Sequence, residues 1–134
     1  MNVYPYLNFN GQAEEALHFY REALDGEIAM LMRYADAPPD VEFGGIDPNR
    51  IMHARLAFGA NVLMISDSDR PAPPSQQVVL SINLEADTAQ AERVFAALSA
   101  GGQVTMPLHK TFWGALFACF SDRFGVNWMI NCQL

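Results

Sequence analysis

His53, Arg55 and Trp113, with the asparagines Asn8, Asn83 and Asn131, are the side chains whose types and positions point to chemistry. Most of them fall in runs where apolar residues alternate with others, so every second side chain shares one face of a strand. In Ile51-Met52-His53-Ala54-Arg55-Leu56-Ala57-Phe58, His53 and Arg55 share a face, and Met52, Ala54, Leu56 and Phe58 take the other. An imidazole titrates near neutral pH. His53 therefore serves as base, hydrogen-bond donor or metal ligand, or as a histidine that bonds a neighbouring strand. Arg55 presents a fork that receives a carboxylate in bidentate fashion, or it pairs with one of the chain's many acids. His53 and Arg55 are the candidate catalytic pair.

A catalytic metal needs about three His, Asp or Glu ligands that converge. The histidines are His18, His53 and His109. His18 falls in the first helix beside the Tyr20 stripe, as a surface or packing residue, and His109 opens a loop with Lys110, so no metal ligand set is expected. No cofactor is expected either. The sequence has no Gly-x-x-x-x-Gly-Lys loop, no Gly-x-Gly-x-x-Gly turn after a strand and no Gly-x-Ser-x-Gly elbow. Cys119 and Cys132 lie in strands with no base beside them. If those strands form a hairpin, the thiols stand about 13 Å apart at ~3.3 Å per residue, too far for a disulfide. They read as two reduced, packed thiols.

The elements that must position these residues repeat. Tyr4 to Phe9 reads as a strand, Asn10-Gly11 as a turn, and Gln12 to Leu24 as a helix with Ala13, Ala16, Leu17 and Tyr20 on its apolar stripe. Asp25-Gly26 stops that helix. Strands follow at 27–34, 51–58 and 61–66. The order then recurs: a strand over 78–84, a helix capped by Asp87 or Thr88 and running to about Ala100, the stop Gly101-Gly102, and strands at 103–108, 115–120 and 126–132. Phe9 superposes on Leu84, Ala16 on Ala91, Tyr20 on Phe95 and Gly26 on Gly101, an offset of 75, which shortens to about 65 at the ends. The polar stretch 35–50 absorbs the difference. A Pro-rich stretch, about 68–77, links module one (about 1–67) to module two (about 78–134), within one domain spanning 1–134.

Composition bounds the partners. The chain has 134 residues, is 51% hydrophobic and 17% charged, and carries 15 acids against 8 bases for a net charge of -7. That suits one globular domain, and its field opposes nucleic acid. No apolar run approaches the ~20 residues of a spanning helix, and the N-terminus has neither a basic start nor an apolar signal core. No membrane association is expected, and the cytoplasm is the expected location.

The tandem βαβββ plan resembles the vicinal oxygen chelate superfamily, which includes glyoxalase, bleomycin-resistance and extradiol dioxygenase proteins. Gly102-Gln103-Val104-Thr105-Met106-Pro107-Leu108, Thr111-Phe112-Trp113 and Asp122-Arg123-Phe124-Gly125-Val126-Asn127-Trp128-Met129-Ile130-Asn131 are similar to its PhnB-like branch. So are Pro5-Tyr6-Leu7-Asn8-Phe9-Asn10-Gly11, Glu15 to Tyr20, and Ile51 to Ala54. Ala115-Leu116-Phe117-Ala118 departs from the branch, which often carries a more polar stretch there. The resemblance implies an α+β fold in which the modules form a curved eight-stranded mixed sheet around a half-barrel cup, helices outside, completed as a homodimer. Metal-using members place ligands on the first and last strand of each module. Here those places hold Tyr4, Met64, Val79 and Met129, none of them attractive to a hard or borderline metal. Such sequences have also carried a demethylubiquinone methyltransferase label, but Asn10-Gly11 alone does not supply the glycine-rich turn of a nucleotide-cofactor fold.

The expected function is metal-free binding of a small organic molecule. Tyr6, Asn8, His53, Met64, Ser81, Asn83, Trp113, Met129 and Asn131 line the cup, with Trp128 in the core. The alternative is a lyase or isomerase acting on a small oxygenated metabolite, with His53 as base or metal ligand and Arg55 or Asn83 holding the developing anion. A partner-binding module is a third reading, in which a second copy covers apolar strand surface and Phe112 and Trp113 pack at the seam.

Overall fold

A computed structural model describes residues 1–134. The chain divides into two compact units, Met1–Ala72 and Pro73–Leu134. In the first, β1 (Tyr6–Phe9), α1 (Ala13–Ala23), β2 (Glu27–Arg33), β3 (Ile51–Phe58) and β4 (Asn61–Asp67) follow in order. In the second, β5 (Leu80–Glu85), α2 (Thr88–Ser99), β6 (Gln103–Lys110), β7 (Ala115–Ser121) and β8 (Asn127–Gln133) repeat that order. The expected eight strands are hydrogen-bonded as two mixed four-stranded sheets, β1-β4-β3-β2 and β5-β8-β7-β6, neither of them closed. In each, the first strand pairs in parallel with the last and the other pairings are antiparallel.

Alternation decides which face of each sheet meets its helix. On β3 and β4, Ala54, Leu56, Leu63 and Ile65 are buried together with Ala13, Ala16, Leu17 and Tyr20 of α1. On β7 and β8, Ala118, Phe120, Trp128 and Ile130 are buried with Ala91, Val94 and Leu98 of α2. Each fully buried Leu or Ile contributes about 1.5–3 kcal/mol by leaving water. Trp128 lies in this core as expected, its indole N–H donating to Asp122 Oδ2 at 2.9 Å. No helix is long and apolar enough to cross a membrane.

Several boundaries differ from the sequence reading, each for a local reason. β1 starts at Tyr6 and not Tyr4, because Pro5 has no N–H to donate, although its carbonyl still accepts from Met64 N at 3.0 Å. β5 starts at Leu80 and not Val78, since the Asn127 side chain takes the carbonyls of Ser75 and Val78 in place of a ladder. β6 runs on to Lys110, so His109 lies in a strand and not in a loop. Pro107 is tolerated there because β6 is an edge strand whose register shifts between Met106 and His109.

The helix ends correct the repeat by one residue. Asp87 caps α2, accepting Gln90 N at 3.0 Å. α1 has no side-chain cap of its own. The carboxylate of Asp67, 2% exposed at the end of β4, substitutes for one, accepting Gly11 N at 2.8 Å and Ala13 N at 3.0 Å on Oδ1 and Ile51 N at 3.2 Å on Oδ2. After the helices, Asp25 (φ 54°) corresponds to Gly101 (φ 74°) as the left-handed residue, and Gly26 corresponds to Gly102. α2 is one residue longer than α1, which moves the offset from 75 to 76 and replaces the expected match of Gly26 with Gly101.

The 35–50 stretch closes at its neck through Tyr34 N to Arg50 O (3.1 Å) and Ala35 N to Pro48 O (2.8 Å). Arg33 forms an ion pair with Glu14 and donates to Asn49 O at 2.8 Å. The hydrogen bond from Arg33 holds the Glu14 carboxyl below the usual glutamate range. Tyr34 donates to the Asp67 carbonyl at 2.6 Å and packs edge-on against Phe43. Burial pushes its phenol up, with the nearby Asp67 charge acting in the same direction.

Candidate functional site

The sheet faces away from the helices carry the candidate residues, arranged in cross-strand rows. Residues opposite one another in register share a face. In module one, Tyr6 lies opposite Met64, Met64 opposite Arg55, and Arg55 opposite Met30, one row across all four strands. Two residues along, Asn8 lies opposite Ser66 and His53 opposite Met32. In module two, Ser81, Met129, Cys119 and Met106 form the matching row, and Asn83, Asn131, Phe117 and His109 the next. Every candidate on a strand therefore lies on the expected face of its own sheet.

Specific contacts tie some of them together. The Tyr6 hydroxyl lies 2.8 Å from His53 Nδ1, a hydrogen bond whose donor follows the imidazole tautomer, and the two rings are 5.5 Å apart. Ser66 Oγ donates to Asn8 Oδ1 at 3.3 Å. The Arg55 guanidinium stands over the Tyr4 ring, 5.7 Å from its centroid. In module two, Trp113 Nε1 donates to Asn131 Oδ1 at 3.3 Å, and the Trp113 ring lies edge-on to Phe117 at 5.6 Å and to Phe112 at 5.0 Å. Ser81 and Asn83 are exposed on β5.

The same scaffold thus carries different chemistry in its two copies. Where module one has Arg55 and His53, module two has Cys119 and Phe117. Sequence reasoning missed Met30 and Met32 on β2, Met106 and His109 on β6, and Cys119 and Phe117 on β7. The register shifts between Ile28 and Met30 and around Met106 break strict alternation on the edge strands, so counting by twos misplaces those side chains. For β7 the signal was present, since its uncovered face pairs with Met129 and Asn131. Both cysteines are free, as expected. Cys132 is buried, but Cys119 is only partly so, and the burial it has pushes its thiol up. His109 Nδ1 lies 2.8 Å from the Pro107 carbonyl, which accepts its N–H and leaves Nε2 unprotonated in the neutral ring.

The donor set at the superfamily's metal seat does not suit the usual metals. The places that the resemblance assigns, Tyr4, Met64, Val79 and Met129, offer a phenol, an alkyl group and two thioethers where imidazole, thiolate or carboxylate would be needed. No group of three or more His, Cys, Asp or Glu side chains is placed to share an ion.

A family model described as 3-demethylubiquinone-9 3-methyltransferase matches residues 1–131. The crystal structure of protein PA1353 from Pseudomonas aeruginosa is 41% identical, covers 99% of this chain and 98% of its own, and superposes with a TM-score of 0.85. The chain belongs to the PhnB-like family that this model describes, and it has the glyoxalase/bleomycin resistance/dioxygenase fold. A PhnB protein from Bacillus cereus, described as a putative 3-demethylubiquinone-9 3-methyltransferase, is 24% identical over 98% of this chain and 99% of that one, with a TM-score of 0.82. A glyoxylase/bleomycin resistance protein/dioxygenase domain from Frankia sp. EAN1pec, 13% identical over 100% of this chain and 93% of that one, shares the fold with a TM-score of 0.67.

The methyltransferase description of the PhnB-like family has no counterpart in the residues after β1. A nucleoside cofactor is commonly received by a glycine-rich turn that leads into a helix of a doubly wound sheet. Here the turn between β1 and α1 is Asn10-Gly11, and the N–H groups of Gly11 and Ala13 are already bonded to Asp67. These residues do not fit such a cofactor.

Proposed function

We propose that this PhnB-like protein binds a small organic molecule on the uncovered sheet faces, with no metal ion resident at the superfamily's seat. One observation carries the reading: each sheet is sealed by a helix on one face and keeps Met, Tyr, His, Trp and Asn side chains on the other. Thioethers and aromatic rings give adaptable apolar area, and the amides and hydroxyls give direction. Tyr6, Asn8, His53 and Met64 serve module one, and Ser81, Asn83, Trp113, Met129 and Asn131 serve module two. We also propose a homodimer, which would cover exposed strand residues such as Val104 and Met106. Free cysteines suit a reducing compartment, and we place the protein in the cytoplasm.

Native mass spectrometry with elemental analysis, then a thermal and Trp-fluorescence screen of aromatic and amphiphilic compounds, tests this reading. A dimer without stoichiometric metal, stabilised by some of these compounds, is expected. One metal per chain would overturn the metal-free clause, and no response from any compound would overturn the binding reading.

The contact between Tyr6 and His53 favours a second reading, a lyase or isomerase with His53 as base, because the phenol holds the imidazole in place. Deuterium incorporation from D2O into a panel of small carbonyl compounds would report it. Exchange that His53→Ala abolishes at unchanged melting temperature is the expected result of this reading. A purely destabilised His53→Ala protein would make the histidine structural.

A further inference from the structure

We infer that the uncovered face of module one is an anion subsite, receiving on Arg55 the carboxylate of a small amphiphile whose apolar body lies on Met30, Met32 and Met64. This rests on the small-molecule reading and names its ligand class. Arg55 sits in the middle of the face, with Met64 and then Tyr6 on one side and Met30 on the other, so no acid stands opposite it in register. Its guanidinium makes no hydrogen bond or ion pair. It stands over the Tyr4 ring, 5.7 Å from the centroid, which leaves its five N–H donors available. Two other arginines of the module are engaged, Arg33 by Glu14 and Asn49, and Arg50 by Asn10 Oδ1 at 2.8 Å and the Ser68 carbonyl at 3.1 Å.

The neighbours on this face are donors or neutral groups. The Tyr6 hydroxyl, the His53 ring and the Asn8 amide, whose N–H groups stay free while its oxygen accepts from Ser66, share this face with Arg55, and the residues in register with Arg55 include no carboxylate. The chain as a whole carries a net charge of -7 and repels anions at long range. Any preference for an anion must therefore arise locally. From Tyr6 to Met30 the row crosses four strands, roughly 14 Å at 4.7–4.9 Å per strand, enough for a fused aromatic ring beside its carboxylate. The thioethers adapt to the shape of that body.

The test compares 2-naphthoate with its neutral isostere 2-naphthamide by calorimetric titration, with the Arg55 Nε–H and His53 ring signals followed by NMR. 2-Naphthoate is expected to bind about tenfold or more tightly than the amide, as a charge-assisted hydrogen bond provides, and to shift the Arg55 signal. Arg55→Gln is expected to erase that preference by weakening 2-naphthoate about tenfold more than 2-naphthamide, whose carbonyl loses only a neutral acceptor's hydrogen bond, at an unchanged melting temperature. Arg55→Lys is expected to restore part of it, since it returns the charge without the fork. Equal binding of acid and amide to the wild-type protein would overturn the anion assignment and leave the small-molecule reading standing. A preference that survives in Arg55→Gln would overturn the role of Arg55. Binding of neither probe would overturn the inference, and the broader compound screen would then judge the parent reading separately.

Discussion

Asp67→Ala is expected to lower the unfolding free energy by about 3–4 kcal/mol and the melting temperature by roughly 10–15 °C. Asp67 is 2% exposed and its two oxygens accept three backbone N–H groups, from Gly11, Ala13 and Ile51. These donors come from the turn before α1, the first residue of α1 and the first residue of β3. Alanine leaves all three without their acceptor, in surroundings that admit little water. A buried donor left unmade costs about 1–3 kcal/mol, and some relaxation brings the sum below three full penalties. Asp67→Asn is a sharper probe. Its amide oxygen can serve Gly11 and Ala13, but its NH2 then faces the N–H of Ile51, donor against donor. It is expected to recover about half of the loss. Urea denaturation of the three proteins checks this, and a cost below about 1 kcal/mol for alanine would show that Asp67 is not the hub of module one.

Gly102→Ala is expected to be as damaging in module two, costing about 3 kcal/mol or more and displacing the start of β6. A Cβ at this position would stand 2.1 Å from the Ser121 carbonyl oxygen and 2.9 Å from backbone atoms of Asp122. The obstruction is backbone at the end of β7, so no rotamer change relieves it. Gly101→Ala is the control. Gly101 needs its glycine for a different reason, a φ of 74°, and its nearest neighbours there are Arg123 side-chain atoms at 3.5 and 3.6 Å, ordinary contact distances. About 1–2 kcal/mol is expected for alanine at Gly101. Thermal unfolding ranks the pair, and NMR amide spectra show whether Met106 and His109 move in Gly102→Ala. A ranking in the opposite order would mean that the conformation of Gly101, and not the close approach at Gly102, governs this junction.

These two cases mark where local reading stops. The pair Gly101-Gly102 is legible in the sequence as a helix stop, yet nothing local separates the glycine needed for its dihedral angle from the one needed for space. Asp87 is legible as a cap because its partner, Gln90, is three residues away. Asp67 is not, because its partners lie up to 56 residues away in sequence. The candidate residues divide the same way. Alternation on β3, β4 and β8 correctly assigned His53, Arg55 and Met64, and separately Met129 and Asn131, to the face of their own sheet that turns away from its helix. On β2 and β6 the register shifts hid Met30, Met32, Met106 and His109.

The sequence by itself determined the two helices, the eight strands, their repeated order and, on β1, β3, β4, β5 and β8, which side chains turn away from each helix. All of these follow from hydrophobic periodicity and turn residues, properties of a few neighbouring positions. Only the tertiary structure decided that the Tyr6 hydroxyl reaches His53, that Arg55 lies between two methionines with no acid opposite, and that module two answers with Cys119 and Phe117. Those facts depend on strand register. A slip of one residue would carry every side chain of a strand to the other face, and register is set by bulges, long-range pairing and core packing that no single segment encodes.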